Sequence, residues 1–170
     1  MPRGQTPAGK IPAPKRKPQN VESAFRWIVG VLRRHAVPFH VSGGFAASLY
    51  GSKRKTYDID ILIHHPSLRL ILPTVRRYII FGPDRYRDRH FDAFLATLEI
   101  YGTTIDLIME CRVRDHRTGK WYLLPGLTQS VRKKVFGHWV SIEAKEKLMK
   151  IKKMIGRKKD LQDSAAMRVG

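Results

Sequence analysis

Tyr57-Asp58-Ile59-Asp60-Ile61-Leu62-Ile63 is an apolar run broken by two acids, and its reading decides the fold. In a strand, alternate side chains share a face roughly 6.6 Å apart, so Asp58 and Asp60 project to one side while Ile59 and Ile61 point into a core. Two carboxylates so placed repel each other. A screening cation removes the cost, and hard oxygen ligands on one face suit Mg2+. Just upstream stands Val41-Ser42-Gly43-Gly44-Phe45-Ala46-Ala47-Ser48-Leu49-Tyr50-Gly51. A glycine pair between a strand and a helix lets a phosphate approach the backbone and the unpaired N–H groups of the helix start. Ser42 adds a hydroxyl donor.

Working outward, Asn20 is an N-cap for a helix carrying Val21, Phe25, Ile28, Val29, Val31 and Leu32 at helical spacing, ended before Pro38. Phe39 to Ser42 reads as a short strand and Gly43 to Leu49 as a short helix. A further helix is expected from Ser67 to about Ile79, kinked by Pro73. Phe91 to Ile100 and Thr104 to Met109 form a hairpin about Tyr101-Gly102-Thr103, which sets Asp106 between Ile105 and Leu107. Residues 111–130 read as loop with a strand near Trp121, and Val135 to Ile142 as another strand. A helix from about Glu143 to Ile155 stops at Gly156, and Asp160 to Met167 forms a last one. The order of elements predicts an α+β domain with helices packed on a small mixed sheet.

Composition narrows the partners. The chain of 170 residues carries 33 Lys and Arg against 14 Asp and Glu, a formal charge of +19, which predicts attraction to RNA, DNA or nucleotide phosphates. Residues 1–19 hold five basic residues, five prolines and no acid, and read as a disordered basic tail; residues 20–170 read as one domain. A lone cysteine, Cys111, excludes an internal disulfide and offers no zinc-ligand spacing. No apolar run is long enough for a membrane span and the N-terminus lacks a signal-peptide core, so a cytoplasmic protein with no membrane partner is expected.

Asp106 completes a three-acid set on neighbouring strands, where phosphates held by the glycine turn would meet metal. Two Mg2+ ions roughly 3.5–4 Å apart can activate an attacking hydroxyl and stabilise a leaving pyrophosphate. Ser42-Gly43-Gly44, then thirteen residues, then Asp58-Ile59-Asp60, and later Ile105-Asp106-Leu107 resemble the signature of the DNA polymerase β superfamily of nucleotidyltransferases. With Gly51, Arg54 and Thr56 the chain is similar to small bacterial members, the AbiEii-like toxins of toxin–antitoxin systems and the lincosamide-type antibiotic nucleotidyltransferases. Lys152, Gly156 to Leu161 and Asp163 resemble the helix that follows the sheet in such proteins, although Lys158 stands where a proline is common. The resemblance implies a palm-like nucleotidyltransferase fold and a Mg2+-dependent enzyme moving an NMP from an NTP such as ATP to an acceptor hydroxyl. It implies that Asp58, Asp60 and Asp106 bind two Mg2+ ions, with Asp106 acting on the acceptor. Ser42, Gly43 and Gly44 would hold the triphosphate, Arg54 and Thr56 line its approach, and Lys152 contact a phosphate.

Each signal also has an ordinary reading. A Gly-Gly is most often a plain turn, acids on a strand are often solvent-facing, and a charge run is usually a solvated face. His64-His65 point opposite ways on a strand and make a poor metal pair. The three-part order favours the catalytic reading. The charge excess favours an RNA acceptor, with tRNA first by analogy to the toxins and an antitoxin as a further partner. Transfer to an antibiotic or a protein hydroxyl, and an inactive nucleic-acid-binding module, are the alternatives.

Overall fold

The computed structural model describes residues 19–170, and the expected basic tail lies outside them except for Gln19. In chain order the elements are α1 (Val21–Arg34), β1 (Phe39–Ser42), α2 (Gly43–Leu49), β2 (Asp58–Ile63), α3 (Leu68–Val75), β3 (Ile79–Arg87), β4 (Phe91–Ile100), β5 (Thr103–Arg114), β6 (Trp121–Leu123), β7 (Ser130–Val135), β8 (His138–Glu143), α4 (Lys145–Ile155) and α5 (Lys158–Val169). The strands form one eight-stranded mixed sheet, larger than the small sheet expected, in the order β3-β4-β5-β2-β1-β8-β7 with β6 on β5.

Alternation makes the sheet two-sided. Ile59, Ile61, Ile105, Leu107 and Ile142 are fully buried and meet Phe25, Ile28, Val29 and Leu32 of α1. The side chain of Asn20 caps α1 by accepting the Ser23 N–H at 2.9 Å. On the other face α4 lies over β5, and α5 packs on α4 and α2. Gly156 ends α4 in the left-handed conformation, φ 70°, where a glycine is the natural stop.

Two expectations are corrected. The helix expected to reach Ile79 ends at Val75, and after a 3-10 turn at Arg76–Tyr78 the chain enters β3. Pro73 and the β-branched pair Ile79-Ile80 disfavour further helix, and Gly82-Pro83 is tolerated because β3 is an edge strand. The stretch Val135 to Ile142 is not one strand, because Phe136 (φ 47°) and Gly137 (φ 84°) turn the chain between β7 and β8. Two residues at positive φ are what a tight hairpin turn needs.

Phe25 is fully buried, with ring centroids 5.4 Å from Phe45 and 5.7 Å from Phe136. Truncation to Phe25→Ala should cost about 3–5 kcal/mol, read as a lowered urea midpoint at unchanged slope.

Candidate active site

Sheet register builds the site. Ser42 of β1 lies opposite Asp60 of β2, Asp60 beside Asp106 of the parallel β5, and Asp106 opposite Thr97 of β4. One row across four strands therefore carries Ser42, Asp60, Asp106 and Thr97, with Asp58 one step along β2. The three aspartates each offer an oxygen, all within 4.8 Å of one another. Among the described residues none of the three lies within 4.0 Å of a Lys, Arg or His nitrogen.

The electrostatics follow from this crowding. Burial, then the Asp58 and Asp106 charges, push Asp60 well above the usual carboxylate range, and Lys152 and Lys159 offset this only in part. Burial also raises Asp106; its 2.5 Å hydrogen bond from the Thr97 hydroxyl acts the other way, and Asp58 adds repulsion. A cluster that resists full ionisation, made only of hard oxygen donors, fits a divalent cation.

The glycine turn is shaped to this cluster. Gly43 has φ 65°, and a Cβ there would overlap Asp60 Oδ2. A Cβ on Gly44 would stand 2.6 Å from Arg54 Nη2 and 3.1 Å from the Thr56 methyl. Gly43 is thus required by close approach and by its left-handed backbone, and Gly44 is constrained by close approach alone.

The other expected residues have partners of their own. Ser42 Oγ donates to the carboxylate of Glu143, which is buried and paired with Lys147 at 2.7 Å. Arg54 donates through Nε and Nη2 to Asp163 at 3.1 and 3.0 Å, and Lys152 Nζ meets the same carboxylate at 2.9 Å. Ser52 donates to Asp163 at 2.7 Å as well. Burial alone would raise Asp163, but the hydrogen bonds from Arg54, Lys152 and Ser52 hold it down at about 2. Arg54 and Lys152 still line the cavity, whereas Thr56 stands behind the glycine turn. Sequence reading did not single out Thr97 or Glu143, whose roles rest on register and on a fold-back of about a hundred residues. It also passed over Lys159, a cation on the cavity wall with no acidic partner within 4.0 Å among the described residues.

The cavity beneath α4 has a volume of about 310 Å³ and joins the glycine turn, the three aspartates and Lys159. No protein-family model and no curated protein sequence matches the chain. Solved structures do. A Thermotoga maritima protein assigned as a nucleotidyltransferase aligns with TM-score 0.66 and 17% identity over 86% of this chain and 89% of its own. The antibiotic-resistance factor ANT(2″)-Ia, in complex with adenylyl-2″-tobramycin, aligns with TM-score 0.58 and 14% identity over 88% of this chain and 89% of its own. The lincosamide antibiotic adenylyltransferase LnuA, bound to lincomycin, gives 0.55 and 12% over 88% of this chain and 98% of its own. The chain has the nucleotidyltransferase fold. In this nucleotidyltransferase-fold protein the three aspartates sit where two parallel strands and a glycine turn meet. No described helix is long and apolar enough to cross a membrane.

Two outcomes test the site as built. Gly43→Ala should disturb Asp60 and weaken Mn2+ or Mg2+ binding by at least about tenfold, measured by calorimetry. Asp163 titrates lower in the folded than in the unfolded state, so its stabilisation is complete above pH 4 and is lost as pH falls toward 2. Asp163→Asn removes the acid that Arg54 pairs with and leaves Lys152 only the longer contact to Asp160 at 3.6 Å, so it should cost about 3–5 kcal/mol at pH 7, with the gap to the parent narrowing below pH 4 in urea unfolding.

Proposed function

We propose that this protein is a Mg2+-dependent nucleotidyltransferase that moves an NMP from an NTP to a hydroxyl of RNA. The observation that carries it is the convergence of Asp58, Asp60 and Asp106 within 4.8 Å, free of ion pairs among the described residues, beside a turn where Gly43 leaves no room for a side chain. Residues 20–170 act as the catalytic unit, and residues 1–19 add positive charge.

In this reading Asp58, Asp60 and Asp106 hold the metal, which when bound supplies charge neutralisation at the phosphates and activation of the acceptor hydroxyl. The turn at Ser42, Gly43 and Gly44 brings backbone N–H groups to the triphosphate, and Lys159, without an acidic partner among the described residues, adds a cation. Arg54 and Lys152, held by Asp163, fix the turn against α5 and keep positive charge beside the phosphates. Thr97 holds Asp106 Oδ1 and leaves Oδ2 for the reaction. The acceptor oxygen forms a bond to the α-phosphorus, the bond from phosphorus to pyrophosphate breaks with its electron pair leaving on pyrophosphate, and the hydroxyl proton passes to Asp106.

The formal +19 supports an RNA acceptor, since each neutralised phosphate releases counterions and strengthens binding. tRNA is the first candidate, and a toxin role would add an antitoxin that silences transfer. A small acceptor is the second reading, because the likeness extends to ANT(2″)-Ia and LnuA, whose structures contain antibiotic ligands.

Incubation with labelled NTP, Mg2+ and total RNA should label RNA. Label only on an aminoglycoside, a lincosamide or a protein would replace the acceptor, and no label anywhere would remove the enzymatic reading. The double variant Asp58→Ala, Asp60→Ala should lose transfer to background yet keep salt-sensitive RNA binding, read by filter retention, since coordination and long-range attraction are separate contributions.

A further inference from the structure

The aspartates occupy only one end of the cavity. Its remaining wall is apolar, made of Ala93 and Leu95 of β4, Ile108 and Cys111 of β5, Leu124, and Ile151 of α4. A volume of about 310 Å³ equals the space of about ten waters, far more than three carboxylates and their ions need. Water gains few partners against such a wall, whereas a flat, weakly polar group displaces it favourably.

A bulge makes this chamber. Asp106 and Ile108 share the site face of β5, and strict alternation would bring Glu110 and Arg112 to that face next. Between the pairs Leu95↔Ile108 and Phe94↔Glu110 the register slips by one residue. Beyond the slip Ala93 faces Cys111 and Phe91 faces Val113, so Cys111 and Val113 line the cavity and the two charged residues turn away.

Position and charge select the occupant. The row runs from the glycine turn at β1 through Asp60 to Asp106 and Thr97, and the chamber walls come from β4 and β5 beyond Asp106, the end away from the turn. The chamber therefore opens on the acceptor side of the metal-holding carboxylates. Its rim is cationic and aromatic. Lys159 has no acidic partner among the described residues, Arg157 lies 4.7 Å from the centroid of the Phe91 ring, and Tyr86 stands beside it. Both acids on this rim are engaged: Asp88 accepts from the Tyr86 hydroxyl and from the N–H groups of His90 and Phe91, and Asp160 accepts from Arg157 Nε and Nη2 at 2.6 and 3.1 Å, which holds that guanidinium at the cavity mouth.

We propose that this chamber receives the terminal nucleobase of a single-stranded RNA 3′ end, setting the terminal ribose hydroxyl at Asp106 while Lys159 and Arg157 meet the preceding phosphates. A base has the flat apolar faces that such walls accept, and its chain supplies the negative charge that the rim attracts. The inference rests on the nucleotidyl-transfer reading for its consequence, though binding is testable without transfer.

A short oligoribonucleotide ending in 4-thiouridine, irradiated on the full chain with Mg2+, should cross-link to peptides containing Ala93, Cys111 or Leu124. The same oligonucleotide with the thio-base moved several positions inward should not. Cross-links confined to other surfaces, chamber cross-links from 4-thio-UTP in place of the oligonucleotide, or chamber protection by a tyrosine- or serine-containing peptide would each overturn the proposal. Ala93→Leu, which fills the chamber, should raise KM for RNA by at least about tenfold and leave KM for NTP unchanged. An equal rise in both, or in neither, would also overturn it. Absence of any transfer with the cross-link intact would remove the catalytic reading and leave the base site standing.

Discussion

Mutual repulsion of three carboxylates is the constraint around which this protein is arranged. A chain with a formal +19 could be expected to quench it with a nearby lysine or arginine, yet none reaches the cluster among the described residues. Apart from Lys159, the cations nearest the site are claimed by other acids. Asp163 takes Arg54 and Lys152, Asp160 takes Arg157, and Glu143 takes Lys147. An outer ring of acids thus keeps the inner three unpaired. Their repulsion is borne by the pleat, because Ile59, Ile61, Ile105 and Leu107 are fully buried on the opposite face, each contributing about 1.5–3 kcal/mol. Any register slip that separated the acids would also expose these side chains.

The same ring fixes the glycine turn. Arg54 is pinned by two hydrogen bonds to Asp163, and its guanidinium leaves no room for a side chain at Gly44. α5 is therefore more than a lid on α4. Through Asp163 it joins the turn, the Ser52 loop and Lys152 into one buried network, whose members are strong together and costly to leave half-made. An arginine that reads from sequence as a phosphate ligand serves first as a brace for the turn that would hold the phosphate.

Much of this was legible in the chain. Period-two alternation around Asp58 and Asp60, the glycine pair after a short strand, and the hairpin about Tyr101-Gly102 gave the three acids and their common face, because each signal is local. The failures were of two kinds. β3 and the β7–β8 hairpin were missed where an edge strand carries a proline and where a turn is spelled Phe136-Gly137 instead of Asn-Gly. The pairings of Ser42 with Glu143 and of Arg54 with Asp163 span 101 and 109 residues, and nothing in local pattern announces them. Trp139 is 53% exposed on β8, on the face opposite buried Val140 and Ile142.

The β5 irregularity shows how one residue separates two chemistries on one strand. Before the slip, β5 delivers Asp106 to a row of acids; after it, the same face delivers Cys111 and Val113 to an apolar wall. Without the extra residue, Glu110 would extend the negative row and Arg112 would stand beside it. That arrangement would add an ion pair to the cavity and draw any metal away from the glycine turn. The bulge keeps charge at one end and apolar surface at the other, so a ligand that spans both must be polyanionic in one part and flat and weakly polar in another. Nucleotides, the ligands proposed for this cavity, have that division.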